Sequence, residues 1–168
     1  MAAEASRPYP RIDFHVHPEG YSYRHPWVVD WMNTSLSVDL EEYLRQYRDP
    51  GAFELFLREQ GVDYACILAE QAHITTGVCT NEYVRDFCRN RPFFIPFCDV
   101  NPHIYTRPAE ELRRLVEEEG FRGLKLYPTY QHYYLNEPRM YPVYQVAEEL
   151  GIPVLIHTGS SVFRGSRL

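Results

Sequence analysis

The sequence predicts an α/β fold in which buried parallel strands alternate with helices. Two observations support this class: the composition of the apolar runs and their spacing along the chain. Five short runs are apolar at nearly every position, which is typical of strands that are buried on both faces. After the first crossover, each run begins about 30 residues beyond the last, as a strand–helix–strand unit requires. The predicted strands are Ile12–Val16, Tyr64–Ala69, Phe93–Asp99, Gly123–Tyr127 and Pro153–His157.

Helical patterns fill the four crossovers between these strands. Asp39 is a predicted N-cap with Glu42 as its capping-box partner, and Thr80 is predicted to cap Asn81–Asn90. The other helices carry proline near the start and glycine after the end, an asymmetry that suits the unpaired backbone groups at helix ends. They are predicted at Ala52–Gln60, between Pro108 and Gly120, and at Pro142–Leu150.

The composition excludes several classes of protein. The 168-residue chain has 17 Lys and Arg against 23 Asp and Glu and no basic block, so we expect neither a nucleic-acid nor a membrane partner. No run approaches the roughly 20 apolar residues of a membrane span, and no signal peptide is recognisable. The four cysteines lack Cys-x-x-Cys spacing, which predicts free buried thiols in a reducing compartment. We therefore expect a cytoplasmic protein with a tail at 1–10 and one domain at 11–168.

Two architectures fit this alternation of strands and helices. One is a doubly wound open sheet, which suits five strands in 168 residues. The other is a (β/α)8 TIM barrel, which takes about 250 residues when it is complete. No glycine-rich phosphate loop follows any strand, which weakens the nucleotide-binding open sheet. The residues at the strand ends favour the barrel.

His15 and His17 close the first predicted strand. Residues two apart on a strand face the same side, so both imidazoles point one way at the carboxyl end of the strand. Enzymes with parallel sheets keep their active sites at this end, and paired imidazoles suit a divalent cation. A pair of hydrogen-bonded structural histidines is the alternative interpretation.

Lys125 and His157 occupy comparable places on the fourth and fifth strands. Lys125 lies inside an apolar run, where a charged ammonium is costly unless it is paired or neutralised. It either faces a metal centre, as a free or carbamylated lysine, or extends to solvent or a carboxylate as a structural residue. His157 ends an apolar strand, and three polar strand ends in register predict a functional site.

Three motifs in this order resemble those of the amidohydrolase superfamily: HVH at 15–17, GLKLYP at 123–128 and PVLIHTG at 153–159. The closest likeness is to the amidohydrolase-related branch, which includes metal-dependent hydrolases and some carboxy-lyases. The resemblance runs from about Arg11 to the end of the chain. It implies a (β/α)8 barrel with one or two divalent metal ions, often zinc.

The resemblance also implies roles for individual residues. His15, His17 and His157 correspond to metal ligands of the family. Lys125 corresponds to a catalytic position that is a carbamylated bridge in binuclear members and a substrate contact in mononuclear ones. The family also uses a histidine after strand six and an aspartate after strand eight, whereas this chain ends eleven residues after His157. We therefore expect an incomplete barrel that is truncated after strand five and is inactive by itself.

Three functions remain open at this point. The first is hydrolysis of a C–N or C–O bond by metal-activated water, and the second is decarboxylation by a carboxy-lyase of the same superfamily. The third is a non-catalytic half-barrel that works only with a partner chain, since unpaired sheet edges also predict a homo-oligomer.

A small-molecule substrate is expected at the carboxyl ends of the strands. The predicted loop at 20–34 is rich in aromatic residues, and so is the segment after strand four. These residues either form a pocket for a planar carboxylate-type substrate or simply pack against each other. The predicted substrate contacts are Trp27, Glu70, Asn101 and Tyr127.

Overall fold

The computed structural model describes residues 8–35 and 40–166, apart from the side chain of Leu40. Its strands are β1 (Ile12–Val16), β2 (Tyr23–Arg24), β3 (Tyr64–Leu68), β4 (Glu70–Ala72), β5 (Gly77–Cys79), β6 (Phe94–Cys98), β7 (Gly123–Leu126) and β8 (Val154–Ile156). Its α-helices are α1 (Pro26–Ser35), α2 (Leu40–Gln46), α3 (Pro50–Glu59), α4 (Asn81–Cys88), α5 (Pro108–Glu117), α6 (Pro128–Gln131) and α7 (Tyr141–Glu149). A 3₁₀ turn at Pro138–Met140 precedes α7.

The main sheet consists of five parallel strands in the order β1-β3-β6-β7-β8. Neighbours in space are therefore successive strands of the predicted β/α series, and the sheet is an incomplete (β/α)8 barrel. This confirms the predicted fold class and all five predicted strands. The strand limits differ from the predicted ones by a residue at some ends.

A second, three-stranded sheet stands at the carboxyl end of the first, with the antiparallel order β2-β5-β4. This sheet was not predicted, and the loop predicted at 20–34 is wrong because most of this segment forms β2 and the ten-residue helix α1. Strands of two or three residues are too short to show a periodic pattern, so only their tertiary contacts reveal them.

Side-chain caps begin α3 and α4, whereas α5, α6 and α7 start without one. The Thr80 side chain accepts a hydrogen bond from the Tyr83 amide at 3.2 Å, which confirms the predicted cap. Asp49 caps α3 in the same way by accepting from the Ala52 amide at 2.8 Å. The predicted Asp39 cap lies outside the described residues, as does most of the predicted tail. In the described parts of the chain, no helix is both long and apolar enough to cross a membrane.

The two faces of the main sheet carry different side chains. Its outer face packs against the helices through strand residues such as Ile67 and Leu124 and helix residues such as Leu112 and Leu115, all fully buried. The inner face has a smaller buried cluster of Cys66, Leu68 and Phe97. The four cysteines are free and buried, as predicted.

Gly123 allows the inner cluster to close. A Cβ atom built at Gly123 would lie 2.3 Å from the Phe97 ring, a distance that side chains do not tolerate. The missing side chain therefore lets the Phe97 ring occupy the space over β7.

Candidate metal centre

His15 of β1 and His17, which directly follows this strand, converge at its carboxyl end. His15 Nε2 lies 3.2 Å from His17 Nε2, so the side chains share a face as predicted. The pairing of β1 with β3 shifts register between Asp13 and Val16, and such bulges commonly redirect side chains beside active sites. The His15 amide also donates to Asp13 Oδ1 at 3.1 Å, which anchors the irregular turn of the strand.

Both of these histidines are neutral at physiological pH. Partial burial, helped by the charge of Lys125, lowers the pKa of His15 to about 4 and that of His17 to about 3. A neutral imidazole can offer a nitrogen lone pair to a cation, whereas an imidazolium cannot. The end of β1 is therefore chemically suited to metal binding.

Glu70 supports His17 from the second sheet. It begins β4, is 4% exposed, and places Oε2 at 3.5 Å from His17 Nδ1. Tyr21 donates to the same carboxylate oxygen and lies 3.2 Å from His17 Nδ1, while Thr76 donates to the other oxygen. Burial raises the pKa of Glu70, and these two hydroxyl donors oppose that rise.

Lys125 lies on the inner face of β7 and is 1% exposed. Its Nζ is 4.9 Å from the centre of the Tyr127 ring, and within the described ranges it makes no hydrogen bond or ion pair. Burial lowers the pKa of Lys125 to about 8, although Glu70 and Asp99 oppose this through their charges. The predicted alternative of a close carboxylate pair is therefore not what the structure contains.

His157 follows β8 on the same side of the sheet as Leu155, the neighbour of Lys125 in register. Its amide donates to the Leu126 carbonyl at 2.9 Å, and its ring packs on Tyr130 with 4.3 Å between centres. His157 Nε2 is buried without a hydrogen-bond partner in the described structure. Burial and the Lys125 charge lower the pKa of His157. This imidazole is therefore also neutral and can offer a nitrogen lone pair to a cation.

One cleft of about 390 Å³ brings the three histidines and Glu70 together, and Lys125 is not among the residues that line it. His15, His17 and His157 line it together with Glu70 and Tyr127. Further aromatic walls come from α1, from α6 and from the segment after β8, through Trp31, Tyr130 and Phe163. The cleft therefore combines neutral imidazole nitrogens, which can bind a cation, with aromatic walls.

A sequence profile of amidohydrolases matches residues 12–167. This chain belongs to the amidohydrolase family. The match covers the five strands of the main sheet and every strand-end residue of the cleft. It confirms the resemblance that the HVH, GLKLYP and PVLIHTG motifs indicate.

Several solved structures have a similar fold. A variant of 5-carboxyvanillate decarboxylase from Novosphingobium aromaticivorans, with bound manganese and 3-methoxy-4-hydroxy-5-nitrobenzoic acid, has a TM-score of 0.66 at 20% identity, over 92% of this chain and 52% of that chain. A 2,6-dihydroxybenzoate decarboxylase from Rhizobium has a TM-score of 0.61 at 18% identity, over 94% and 52% of the two chains. An uncharacterized TIM-barrel protein from Bordetella bronchiseptica has a TM-score of 0.63 at 20% identity, over 91% and 57%.

This amidohydrolase chain thus spans about half the length of the solved structures that it matches. At these identities the likeness shows the barrel fold and no more. The described residues contain no set of three His, Cys, Asp or Glu side chains placed closely enough to hold an ion as they stand. The donor chemistry nevertheless fits a divalent metal, since three neutral imidazoles line one cleft and His157 Nε2 has no other partner.

Two predicted substrate contacts lie outside this cleft. The Trp27 indole donates to the Thr75 carbonyl at 2.8 Å and stacks on His25, so it ties α1 to the turn of the second sheet. Asn101 is buried and donates to the Gln71 carbonyl at 2.9 Å. Both side chains are used for structural hydrogen bonds, which explains why neither reaches the cleft.

Two charged residues of the cleft, Arg24 and Glu19, were not predicted from the sequence. Arg24 lines the cleft and forms a two-point pair with Glu19, with Nη1–Oε1 and Nη2–Oε2 distances of 3.0 and 2.6 Å. Glu19 is 8% exposed, and its backbone carbonyl accepts from Tyr83. Neither residue belongs to a recognisable motif, so only the fold of the second sheet reveals the pair.

Proposed function

We propose that this chain forms the strand-one, strand-four and strand-five part of a metal-dependent carboxy-lyase site for a planar aromatic acid. The observation that carries the proposal is the cleft itself, in which three neutral histidines lie among aromatic walls. The decarboxylases of similar fold act on 5-carboxyvanillate and 2,6-dihydroxybenzoate, which are planar acids of this kind.

His15, His17 and His157 would hold the ion. Imidazole nitrogen suits zinc and other first-row metals, and the solved decarboxylase of similar fold contains manganese. A bound divalent ion would polarise a substrate oxygen and neutralise negative charge. Zinc remains the expectation from the family, and manganese is the alternative to test beside it.

The rest of the cleft would orient the substrate. Tyr127 and Tyr130 are nearly parallel, with 6.2 Å between ring centres and 15° between planes, and their buried rings form part of the wall of the cleft against which an aromatic ring would pack. Arg24, fixed in place by Glu19, contributes guanidinium hydrogens that suit a carboxylate. In the reaction the bond between the ring and the carboxylate breaks, carbon dioxide leaves, and a proton replaces it on the ring carbon.

Hydrolysis is the second candidate, and Lys125 favours it. Lys125 makes no hydrogen bond or ion pair within the described residues, and its pKa is lowered to about 8. It therefore has a larger neutral fraction than an exposed lysine, and the neutral amine is the form that reacts with carbon dioxide. A carbamate at Lys125 would add an anionic oxygen donor for a second ion, as the family resemblance implies for binuclear hydrolases. Native mass spectrometry of the metal-loaded protein would detect the mass of the added carbon dioxide.

The first test is metal binding by the purified chain. Isothermal titration with Mn²⁺ and with Zn²⁺ should give weak binding, because the three histidines are not placed closely enough to hold an ion without rearrangement. His17→Ala and His157→Ala should weaken it further. His73→Ala is the matched control, since His73 is exposed and does not line the cleft. Equal affinity in all variants would reject the metal centre.

The second test separates the two reactions. The longest polypeptide that the gene encodes should be assayed for carbon dioxide release from hydroxybenzoic acids and for hydrolysis of amides and esters. Metal-dependent carbon dioxide release supports the carboxy-lyase, and metal-dependent hydrolysis alone supports the second candidate. Neither activity, together with no metal binding, would support the non-catalytic half-barrel instead.

A further inference from the structure

Glu70 and Tyr21 lie behind His17, on the side of its ring that faces away from His15. Tyr21 Oη is 3.2 Å from His17 Nδ1, and Glu70 Oε2 is 3.5 Å from the same atom. On the opposite side, His15 Nε2 is 3.2 Å from His17 Nε2. Each ring nitrogen of His17 therefore has its own partner, and the hydrogens available to these partners determine which nitrogen carries the ring proton.

The Tyr21 hydroxyl has one hydrogen to donate. This oxygen is 2.5 Å from Glu70 Oε2, closer than it is to His17, and Thr76 donates to Glu70 Oε1. A carboxylate can only accept, so the Tyr21 hydrogen points to Glu70 and its lone pairs face His17. His17 Nδ1 must then carry the ring proton, which leaves Nε2 with a free lone pair.

We propose that Tyr21 and Glu70 are positioning residues that hold His17 as the Nδ1–H tautomer and direct its Nε2 lone pair into the cleft. A metal-binding imidazole must present a lone pair, and a hydrogen bond at its other nitrogen selects the nitrogen that does so. The purpose of this arrangement rests on the proposed function, whereas the tautomer is a property of the metal-free chain.

This inference changes the role expected of Glu70. The sequence analysis placed Glu70 among the substrate contacts, and Glu70 does line the cleft. Both of its carboxylate oxygens, however, already accept a hydroxyl hydrogen, from Thr76 and from Tyr21. Its main contribution is therefore to His17 rather than to a substrate.

The tautomer of His15 follows from the same contacts. Because His17 Nε2 has a bare lone pair, the 3.2 Å contact requires a hydrogen on His15 Nε2. Without metal, the two histidines therefore hold opposite tautomers. His15 Nδ1 makes no hydrogen bond within the described residues, so no contact there opposes a move of the proton from Nε2 to Nδ1. His17 already has the tautomer that cation binding at Nε2 requires, whereas the proton of His15 must leave Nε2 before either nitrogen can bind an ion.

The test is nuclear magnetic resonance of the metal-free, ¹⁵N-labelled chain. Long-range ¹H–¹⁵N correlations distinguish the two tautomers, and the His17→Gln variant identifies the His17 signals. We expect Nδ1–H on His17 and Nε2–H on His15, with a mixture on His17 in the Tyr21→Phe/Glu70→Gln double variant. If Glu70 were protonated, it would donate to Tyr21 and Tyr21 to His17. Nε2–H on His17 of the wild-type chain would then be observed, and would overturn the inference.

Metal affinity gives a second readout. Tyr21→Phe and Glu70→Gln should each weaken Mn²⁺ binding by about 10- to 100-fold. Tyr133→Phe is the matched control, because Tyr133 is equally a tyrosine of the interior and its hydroxyl has no partner in the described structure. Circular dichroism checks that the variants fold.

The two readouts keep this inference separate from the proposed function. If the wild-type chain binds no Mn²⁺, the metal centre fails, and the tautomer of His17 still decides the inference. If His17 has the same tautomer in the wild-type chain and in the double variant, the inference fails even where Mn²⁺ binds.

Discussion

The outer and inner faces of the main sheet differ in how completely they are covered. The outer face packs against helices, and Ile67, Leu115 and Leu124 there have no exposed surface. On the inner face, Phe14 makes an edge-to-face contact with Phe97, yet it stays 44% exposed. Leu155 is only partly buried beside the same cluster.

This difference shows where the stability of a five-stranded half-barrel comes from. In a closed barrel, side chains from all eight strands fill the interior. Five strands supply only part of those layers, so the helix-packed face must provide most of the apolar burial. The inner face instead carries Lys125 and the strand-end histidines. It therefore buries less apolar surface and leaves a cleft open.

The largest effect is expected on the outer face. Leu115→Ala removes a fully buried side chain from α5 and should lower the free energy of unfolding by about 2–5 kcal/mol. Leu155→Ala is the matched inner-face change, and it should cost clearly less because Leu155 is only partly buried. Urea denaturation of both variants measures the contrast, and equal losses would contradict the comparison.

The next effect concerns the closest packing of the inner face. Gly123→Ala should cost about 1–3 kcal/mol, since the added methyl group meets the Phe97 ring at 2.3 Å. Phe97→Leu should relieve part of this cost when the two changes are combined. A double-mutant cycle measures the coupling, and strictly additive effects would show that the two residues do not compete for space.

A third effect is expected at Asp99, which directly follows β6 and is fully buried. Burial raises the pKa of Asp99 to about 8, above its value of about 3.9 in an unfolded chain. The folded state therefore keeps the proton longer, and this group makes stability fall as pH rises from about 4 to 8. Asp99→Asn removes the charge, so the fall should be smaller.

Unfolding by urea at pH 5 and pH 8 measures that change. The wild-type chain should lose more stability between the two values than the Asn variant does. An identical loss in both proteins would mean that Asp99 is already ionised in the folded state at pH 5.

The smallest change in stability is expected at the open inner surface. Phe14→Ser should alter the free energy of unfolding by no more than about 1 kcal/mol, because much of the ring already faces water. It should also reduce self-association, which we expect from the exposed inner face and sheet edges. Sedimentation velocity at several concentrations measures this. An unchanged distribution, with wild type monomeric throughout, would remove the predicted homo-oligomer.

Local signals in the sequence were sufficient for the main sheet and for the strand ends. Strands buried on both faces give runs of apolar residues, and caps such as Thr80 are set by neighbours three residues away. The alternation of a strand also places His15 and His17 on one face, which their 3.2 Å contact confirms. These features depend on interactions within a short segment, so they can be read without the fold.

The second sheet and the contacts that it creates depended on the tertiary structure. Tyr21 and Glu70 are 49 positions apart, and no local pattern marks them as partners of His17. Their roles follow from the folding of β4 and β5 back over the end of β1. In the same way, Trp27 and Asn101 are residue types that suit substrate contacts. Hydrogen bonds to distant carbonyls hold both side chains outside the cleft. A residue's type and local position determined the metal-binding candidates. Which groups surround those candidates was decided by long-range packing, because partners far apart in sequence meet only when the sheet closes.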